Sequence, residues 1–339
     1  MEVQKIALET KMPRSHPFAE TAGGLIQQDH NHDGIDRRGF LKCMAWAGTG
    51  MLCLLQSGVL QSYALGAHDE PGKKSRVQSG LSFVQISDSH MGFNKVANPD
   101  VVATLQAAVE KINALPAPPS FILHTGDISH LSKPSEFDTV DQILKSTRKD
   151  IFFVPGEHDV LNDDGAMFRE RYGRASQGQG WYSFEHSGIH FIGLVNVTNL
   201  KAGGLGTLGD DQLAWLKNDV GPLKSSTPIV VFAHIPLWSI YPQWGWGTDD
   251  GAQALSYLKK FGSVTVLNGH IHQTMQKVEG KVTFHTACST AFPQPAPGAG
   301  DGPGPMKVPS EQLRHVLGIT DVNYRQGRHA LALVDAPLA

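Results

Sequence analysis

Five short stretches of this 339-residue chain end in side chains that can ligate a cation or move a proton. They are Asp88 and His90 in "ISDSH", Asp127 in "HTGD", Glu157-His158-Asp159 in "VPGEHD", His234 in "FAHIP", and His270 and His272 in "NGHIH". Each follows an apolar run. Ionisable groups gathered at the end of a buried strand cost free energy unless something cationic pairs with them. Carboxylates and imidazoles are the ligand set of divalent metals. One ion seldom needs more than about four protein ligands, so this many groups implies two ions. In the D-x-H and H-x-H pairs, two-residue spacing turns both side chains to one side of an extended backbone. Asp127, between the groups, can bridge.

The elements that must carry these groups read as strands and helices in alternation. "LSFVQISDSH" is a strand, and the helix after it takes Asn98 as N-cap and Pro99 in its first turn, with Val102, Leu105, Val109 and Ile112 on one face. "SFILHTGD" and "IFFVPGEHD" are two further strands, separated by a helix after Pro134 with Phe137, Val140 and Leu144 on its apolar face. Such alternation means a parallel or mixed sheet with helices outside, and ligands collect at the carboxyl ends of its strands. "GWYSFEHSGIHFIGLVN" reads as a hairpin turning at Ser187-Gly188, "GDDQLAWLKNDV" as a helix, and "TPIVVFAHIP" and "SVTVLNGHIH" as strands ending in histidine. Residues 293–309 are a Pro/Gly-rich loop, and the tail is two strands about Gln326-Gly327. One domain over 80–339 is the economical organisation.

With these residues in order, the chain resembles the calcineurin-like metallophosphoesterases. Their signature runs D-x-H, G-D, G-N-H-[DE], a lone strand-end His and G-H-x-H. Here it reads Asp88-Ser89-His90, Gly126-Asp127, Gly156-Glu157-His158-Asp159, His234 and Gly269-His270-Ile271-His272. The resemblance implies a four-layer α/β/β/α sandwich of two mixed β-sheets flanked by helices. It also implies two divalent ions (Mn, Fe or Zn) as cofactors. Asp88, His90 and His272 would hold the first, His234, His270 and Glu157 the second, with Asp127 bridging. Water made acidic between the ions would attack a small phosphate ester. His158, oriented by Asp159, would steady the transition state or protonate the leaving oxygen. The opening "VQISDSH" looks most like the cyclic-nucleotide and glycerophosphodiester phosphodiesterase branch, so a diester is expected ahead of a monoester.

The departure from the family pattern is Glu157 where Asn is usual. Three carboxylates and a hydroxide would cancel two divalent ions, where a neutral Asn leaves one net positive charge. Three readings stay open: Glu157 ligates and favours a harder or trivalent ion, it swings away, or the site binds metal without catalysis. His130, three residues past Asp127, is read beside the ligands, facing substrate, as an extra ligand, or as a plain surface histidine. Trp238, Tyr241, Trp244 and Trp246 crowd the loop between two ligand strands. They form either a rim that grips substrate, Trp238 and Tyr241 foremost, or a loop folded on its own apolar side chains. His124 reads as a packed core residue and His285 as a candidate for the cleft wall. His186 and His190, flanking a hairpin, are expected in solvent.

Composition bounds the rest. With 40% hydrophobic and 18% charged residues and a formal net charge of −3, the chain shows no footprint for nucleic acid, and none is expected as partner. Cys43 and Cys53 lie near the N-terminus, which leaves Cys288 alone and excludes an internal disulfide in the domain. Residues 1–67 resemble a twin-arginine export signal. Arg37 and Arg38 precede Lys42 and an apolar run, Asp36 stands where Ser or Thr is usual, and cleavage falls after about Ala64 or Ala67. A basic turn before a core helix is the plainer reading. The resemblance implies the twin-arginine translocation machinery as partner and a periplasmic or exported destination, with membrane contact only if the signal stays uncleaved.

Overall fold

The computed structural model describes residues 80–173, 175–325 and 331–339, together with the backbone of 51–56 and 59–64. The expected export segment lies outside these residues except for two short strands, β1 (Met51–Gln56) and β2 (Val59–Ala64), which pair as a two-stranded sheet. Among the described residues, no helix is long and apolar enough to cross a membrane.

From residue 80 the alternation is realised. β3 (Gly80–Ile86), α1 (Val101–Asn113), β4 (Phe121–His124), α2 (Pro134–Leu144) and β5 (Asp150–Phe153) follow in turn. Then come α3 (Ala166–Tyr172), β6 (Tyr182–His186), β7 (Ile189–Gly193), α4 (Asp210–Val220), β8 (Ile229–Phe232), α5 (Gly251–Leu258) and β9 (Val264–Asn268). β10 (Met275–Glu279), β11 (Val282–Thr286), α6 (Ser310–Val316), β12 (Gly318–Arg325) and β13 (Ala332–Pro337) complete the chain. One sheet has the order β13-β12-β3-β4-β5, the other β10-β11-β9-β8-β7-β6. In the first, β3, β4 and β5 are parallel and β12 and β13 antiparallel; in the second, β7, β8, β9 and β11 are parallel, edged by antiparallel β6 and β10.

Period-two alternation assigns each strand face to a layer. Leu81, Phe83, Phe121 and Leu123 of the first sheet meet Phe191, Val230, Phe232 and Leu267 of the second in one apolar cluster between the sheets. The opposite faces carry Val84, Ile86 and Ile122 against Leu105, Val109, Ile112, Phe137 and Val140 of α1 and α2. On the far side, Ile192, Ile229, Val231 and Val266 pack against Leu213, Leu216, Ala254 and Leu258 of α4 and α5. Three apolar layers between four layers of backbone make the expected α/β/β/α sandwich.

Some local expectations are corrected. The cap of α1 is Asp100, whose side chain accepts from Ala103 N at 3.0 Å. Asn98 is buried instead, donating to Ala291 O at 2.6 Å and tying the helix entry to a distant loop. The β10–β11 hairpin and α3, α5 and α6 were not anticipated. β10 is largely exposed, and α3 buries only Phe168, so neither has a full apolar period to read. His190 is not solvated. It is buried, with its ring between Glu185 and Asp219.

Candidate metal centre

The ligand candidates lie just beyond the carboxyl ends of β3, β4, β8 and β9, with the Glu157–Asp159 turn after β5. Their backbone is unusual. Asp88 (φ 54), His90 (φ 40), Asp127 (φ 52), His270 (φ 71) and His272 (φ 53) all sit in the left-handed region. Each such non-glycine residue costs on the order of 1–2 kcal/mol, so the surrounding packing must hold it. Two glycines of the motifs permit this crowding. A Cβ on Gly156 would collide with Asp127 Oδ1 and the Asp127 amide, and one on Gly269 with Ser87 Oγ and Asp88 Oδ2.

The side chains converge as two trios. In the first, His272 Nε2 is 3.2 Å from Asp88 Oδ1 and 3.2 Å from His90 Nε2. In the second, Glu157 Oε2 is 3.0 Å from His234 Nε2, and Glu157 Oε1 is 2.9 Å from His270 Nδ1. Asp127 Oδ2 lies 3.4 Å from His90 Nε2 and 3.4 Å from His234 Nε2, touching both trios. Ligand atoms within each of Asp88-His90-His272, Glu157-His234-His270, Asp88-Asp127-His234 and Asp127-Glu157-His158 fall within 4.8 Å of one another, as a shared ion requires.

Imidazoles ligate only through a bare nitrogen, and main-chain carbonyls bare the right one. His234 Nδ1 donates to Thr125 O at 2.7 Å, and His272 Nδ1 to Phe292 O at 2.6 Å. Both Nε2 atoms are thereby left as acceptors facing the centre. Glu157 Oε2, His234 Nε2 and both ring nitrogens of His270 are buried and, among the described residues, have no hydrogen-bond partner. The approaches of about 3 Å thus lack donor geometry: the in-plane directions of the ring nitrogens do not run along them. A bound cation would answer that arrangement, and the donor set suits divalent transition ions.

Electrostatics agree. Burial disfavours a charged His234, yet Asp127 and Glu157 beside it raise its pKa well above the usual imidazole value. Glu157, against its burial, is held well below the ordinary range by His270 and His234, and Asp88, likewise buried, is lowered by His272. Burial and the neighbouring His158, His272 and His130 hold His90 neutral, as a ligand must be. The field at the second trio favours positive charge.

His158 and Asp159 divide their work differently from the expectation. The ring of His158 is oriented by a main-chain group, Nδ1 donating to His130 O at 2.7 Å, so Nε2 is its free nitrogen. Asp159 is fully buried and does not orient that ring. It accepts from Ser129 N and Ser129 Oγ (both 2.8 Å), Gly156 N (2.9 Å) and Ile128 N (3.1 Å), which clamps the Asp127 loop to the Glu157 turn. Burial and Asp127 push its pKa up to about 6 despite these donors.

Of the outlying candidates, His130 stacks on His158 (4.9 Å, 16°) and brings Nδ1 to 3.4 Å from His90 Nδ1, beside the first trio. Trp238 does not reach the site. It packs on Phe284 at 4.9 Å among the apolar residues under α4 and α5. Trp246 is fully buried and Trp244 lies edge-on between it and Tyr241, so this loop folds on its own rings. Tyr241 ends that stack against the Pro/Gly-rich loop at Gly298. His285 is buried, 3.1 Å from Asp335, and His124 is a core residue bonded to Ser89 Oγ at 2.7 Å. Phe292 was missed: besides its carbonyl on His272, its ring stacks on His90 at 4.7 Å. Thr125 was missed for the same reason, because a carbonyl acts without regard to its side chain.

The sequence model of calcineurin-like phosphoesterases matches residues 81–274. A glycerophosphodiester phosphodiesterase, GpdQ, of Enterobacter lignolyticus is 25% identical over 250 residues, covering 70% of this chain and 86% of that protein. A 3',5'-cyclic-nucleotide phosphodiesterase of Nostoc sp. is 23% identical over 220 residues, 62% of this chain and 79% of its own. In three dimensions, a dimetal phosphatase from Danio rerio superposes with a TM-score of 0.60 at 14% identity, over 76% of this chain and 96% of that one, a likeness of fold. The matched segment exceeds half the chain and contains every clustered group described above. The chain belongs to the calcineurin-like phosphoesterase family, metal-dependent hydrolases of phosphoric ester bonds.

Proposed function

We propose that the chain is an exported phosphodiesterase with a two-cation centre. The observation that carries this reading is the pair of donor trios joined at Asp127, with the free Nε2 of His158 beside them. The named activities of the two diesterase relatives support a diester ahead of a monoester, and the twin-arginine-like segment supports export. Asp88, His90, His272 and Asp127 would hold one cation, and Glu157, His234, His270 and Asp127 the other. Such a pair supplies Lewis-acid charge that polarises the phosphoryl oxygens and acidifies water.

The chain's own groups do the rest. Thr125 O and Phe292 O keep the ligand nitrogens aimed inward, and Asp159 holds the two ligand loops in register. His158 faces the centre with Nε2, from which a proton can pass to the departing alkoxide oxygen. Its pKa is raised: Asp127 and Glu157 outweigh its burial. As a general acid the ring would give its proton from Nε2, because Nδ1 is tied to His130 O.

Turnover of bis(p-nitrophenyl) phosphate and of p-nitrophenyl phosphate by metal-reconstituted protein tests the reading. Faster diester hydrolysis is expected; activity on the monoester alone removes the diesterase assignment, and activity on neither removes catalysis. Export is tested by replacing Arg37 and Arg38 with Lys, which should leave the protein on the cytoplasmic side.

A further inference from the structure

The two donor trios are built alike. The first has Asp88 with His90 and His272, the second Glu157 with His234 and His270, and Asp127 touches both. Each therefore has one carboxylate of its own, two imidazoles and a share of a bridging carboxylate. A neutral amide at position 157 would leave the second set one negative charge short of the first. Affinity for a hard cation follows the count of charged oxygen ligands and the rigidity of the site.

The structure places the Glu157 carboxylate as a donor. Its two oxygens face different imidazoles, Oε1 toward His270 Nδ1 at 2.9 Å and Oε2 toward His234 Nε2 at 3.0 Å, so it spans the second pocket. Among the described residues, Oε2 and both facing nitrogens have no hydrogen-bond partner, so these ion-pair distances come without hydrogen-bond geometry. The backbone under it is fixed at both sides. Asp159, two residues on, is tied by four donors, and the intervening His158 N–H donates to Asp127 Oδ1 at 2.9 Å. The turn therefore holds the Glu157 backbone beside the second pocket.

We propose that Glu157 makes the second subsite the equal of the first, so that the centre keeps two cations as a resident pair of comparable affinity. The inference rests on the two-cation reading above. It goes further in requiring that neither ion be loosely held and that no substrate be needed to retain the second.

The test reads metal, not turnover. Full-length protein is stripped with chelator, reloaded with Mn²⁺, passed through a desalting column without substrate and assayed for bound metal. Wild type should retain two ions per chain, and E157Q, equal in length but neutral, should retain one. Calorimetric titration of stripped wild type should give two affinities within about tenfold of each other, and E157Q should weaken the second by roughly tenfold or more. Retention of a single ion by wild type overturns the inference while leaving a metal centre in place. Retention of two by E157Q overturns it as well, because the charge is then not what holds the ion. Retention of none overturns the two-cation reading itself. Should E157Q fail to fold by circular dichroism, the wild-type isotherm decides alone: two steps separated a hundredfold overturn the proposal.

Discussion

Two histidine–carboxylate clusters in this molecule use the same residue types to opposite ends. At the centre, Glu157 approaches His234 and His270 at 3.0 and 2.9 Å, yet among the described residues those nitrogens have no hydrogen-bond partner. In the second cluster, His190 donates from Nδ1 to Glu185 at 2.5 Å and from Nε2 to Asp219 at 2.7 Å, and Ser183 Oγ donates to the other Asp219 oxygen at 2.7 Å. Every lone pair that faces His190 meets a proton. A charged imidazole already supplies what its carboxylates need, and no further cation has a place. The backbone separates the two as well. His190 lies in the regular strand β7, whereas five residues of the centre occupy left-handed conformations. Residue type therefore does not distinguish a metal centre from an ion pair; the direction of lone pairs and the strain of the backbone do.

The largest effect should come from the group both trios share. Asp127→Ala leaves His90 and His234 without their common oxygen and should reduce kcat for a phosphodiester by on the order of 10³-fold or more. Metal retained after desalting should fall with it. If Asp127→Ala keeps both ions and near-normal turnover, Asp127 is not the group the two trios share. His158→Gln comes next, with an expected loss of about 10²–10⁴-fold. Bound metal should stay unchanged, since His158 Nε2 is assigned to substrate. The loss should shrink for a p-nitrophenolate leaving group, which departs without a proton. An equal loss for good and poor leaving groups would rule out proton donation.

The difference between the clusters also marks what a reader of the sequence can and cannot see. The strands bearing Asp88, Asp127, Glu157, His234 and His270 were legible because each is an apolar run with a polar end, and the layers follow from alternation. That these side chains converge was legible through the resemblance, order and spacing carrying it. Supporting contacts were not. Thr125 and Phe292 act through carbonyls, which every residue has, and so leave no mark in the sequence. His190 was misjudged because hairpin position suggested solvent, while α4, distant in the chain, brings Asp219 over its ring. The role of Asp159 was misjudged for a related reason: adjacency to His158 suggested a side-chain pair, but the short turn points its carboxylate back at the amides of Ile128, Ser129 and Gly156.

That revised role is open to a direct check. Asp159→Asn keeps the volume but turns an acceptor of four hydrogen bonds into a group with two donors of its own. At least one buried amide then loses its partner, which costs about 1–3 kcal/mol of stability. As an outer support of the ligand loops, the change should also weaken metal binding about 10–100-fold. Extra metal should restore much of the activity. If turnover falls with metal content and stability unchanged, Asp159 acts on the chemistry after all, and the clamp account fails.

The smallest effect belongs to the His190 cluster, and there the sign with pH is the informative part. Burial works against a charged ring, but Asp219 and Glu185 outweigh it and raise the pKa of His190 above its ordinary value of 6.5. The folded state thus binds this proton more tightly than the unfolded chain does. The associated stability is complete below the unfolded pKa and is lost as pH rises through the folded one. Glu185 is half exposed, so solvent screens its share, and Asp219 is the main partner. His190→Gln should therefore cost about 1–3 kcal/mol in mildly acid solution. For a domain of this size that is roughly 2–4 °C in Tm for each kcal/mol. The gap between variant and wild type should narrow as pH climbs past neutrality, at fixed metal content and with turnover per folded molecule unchanged. A gap constant from acid to alkaline pH would mean the ring is neutral. The contrast between a satisfied cluster and an unsatisfied one would then lose its physical basis.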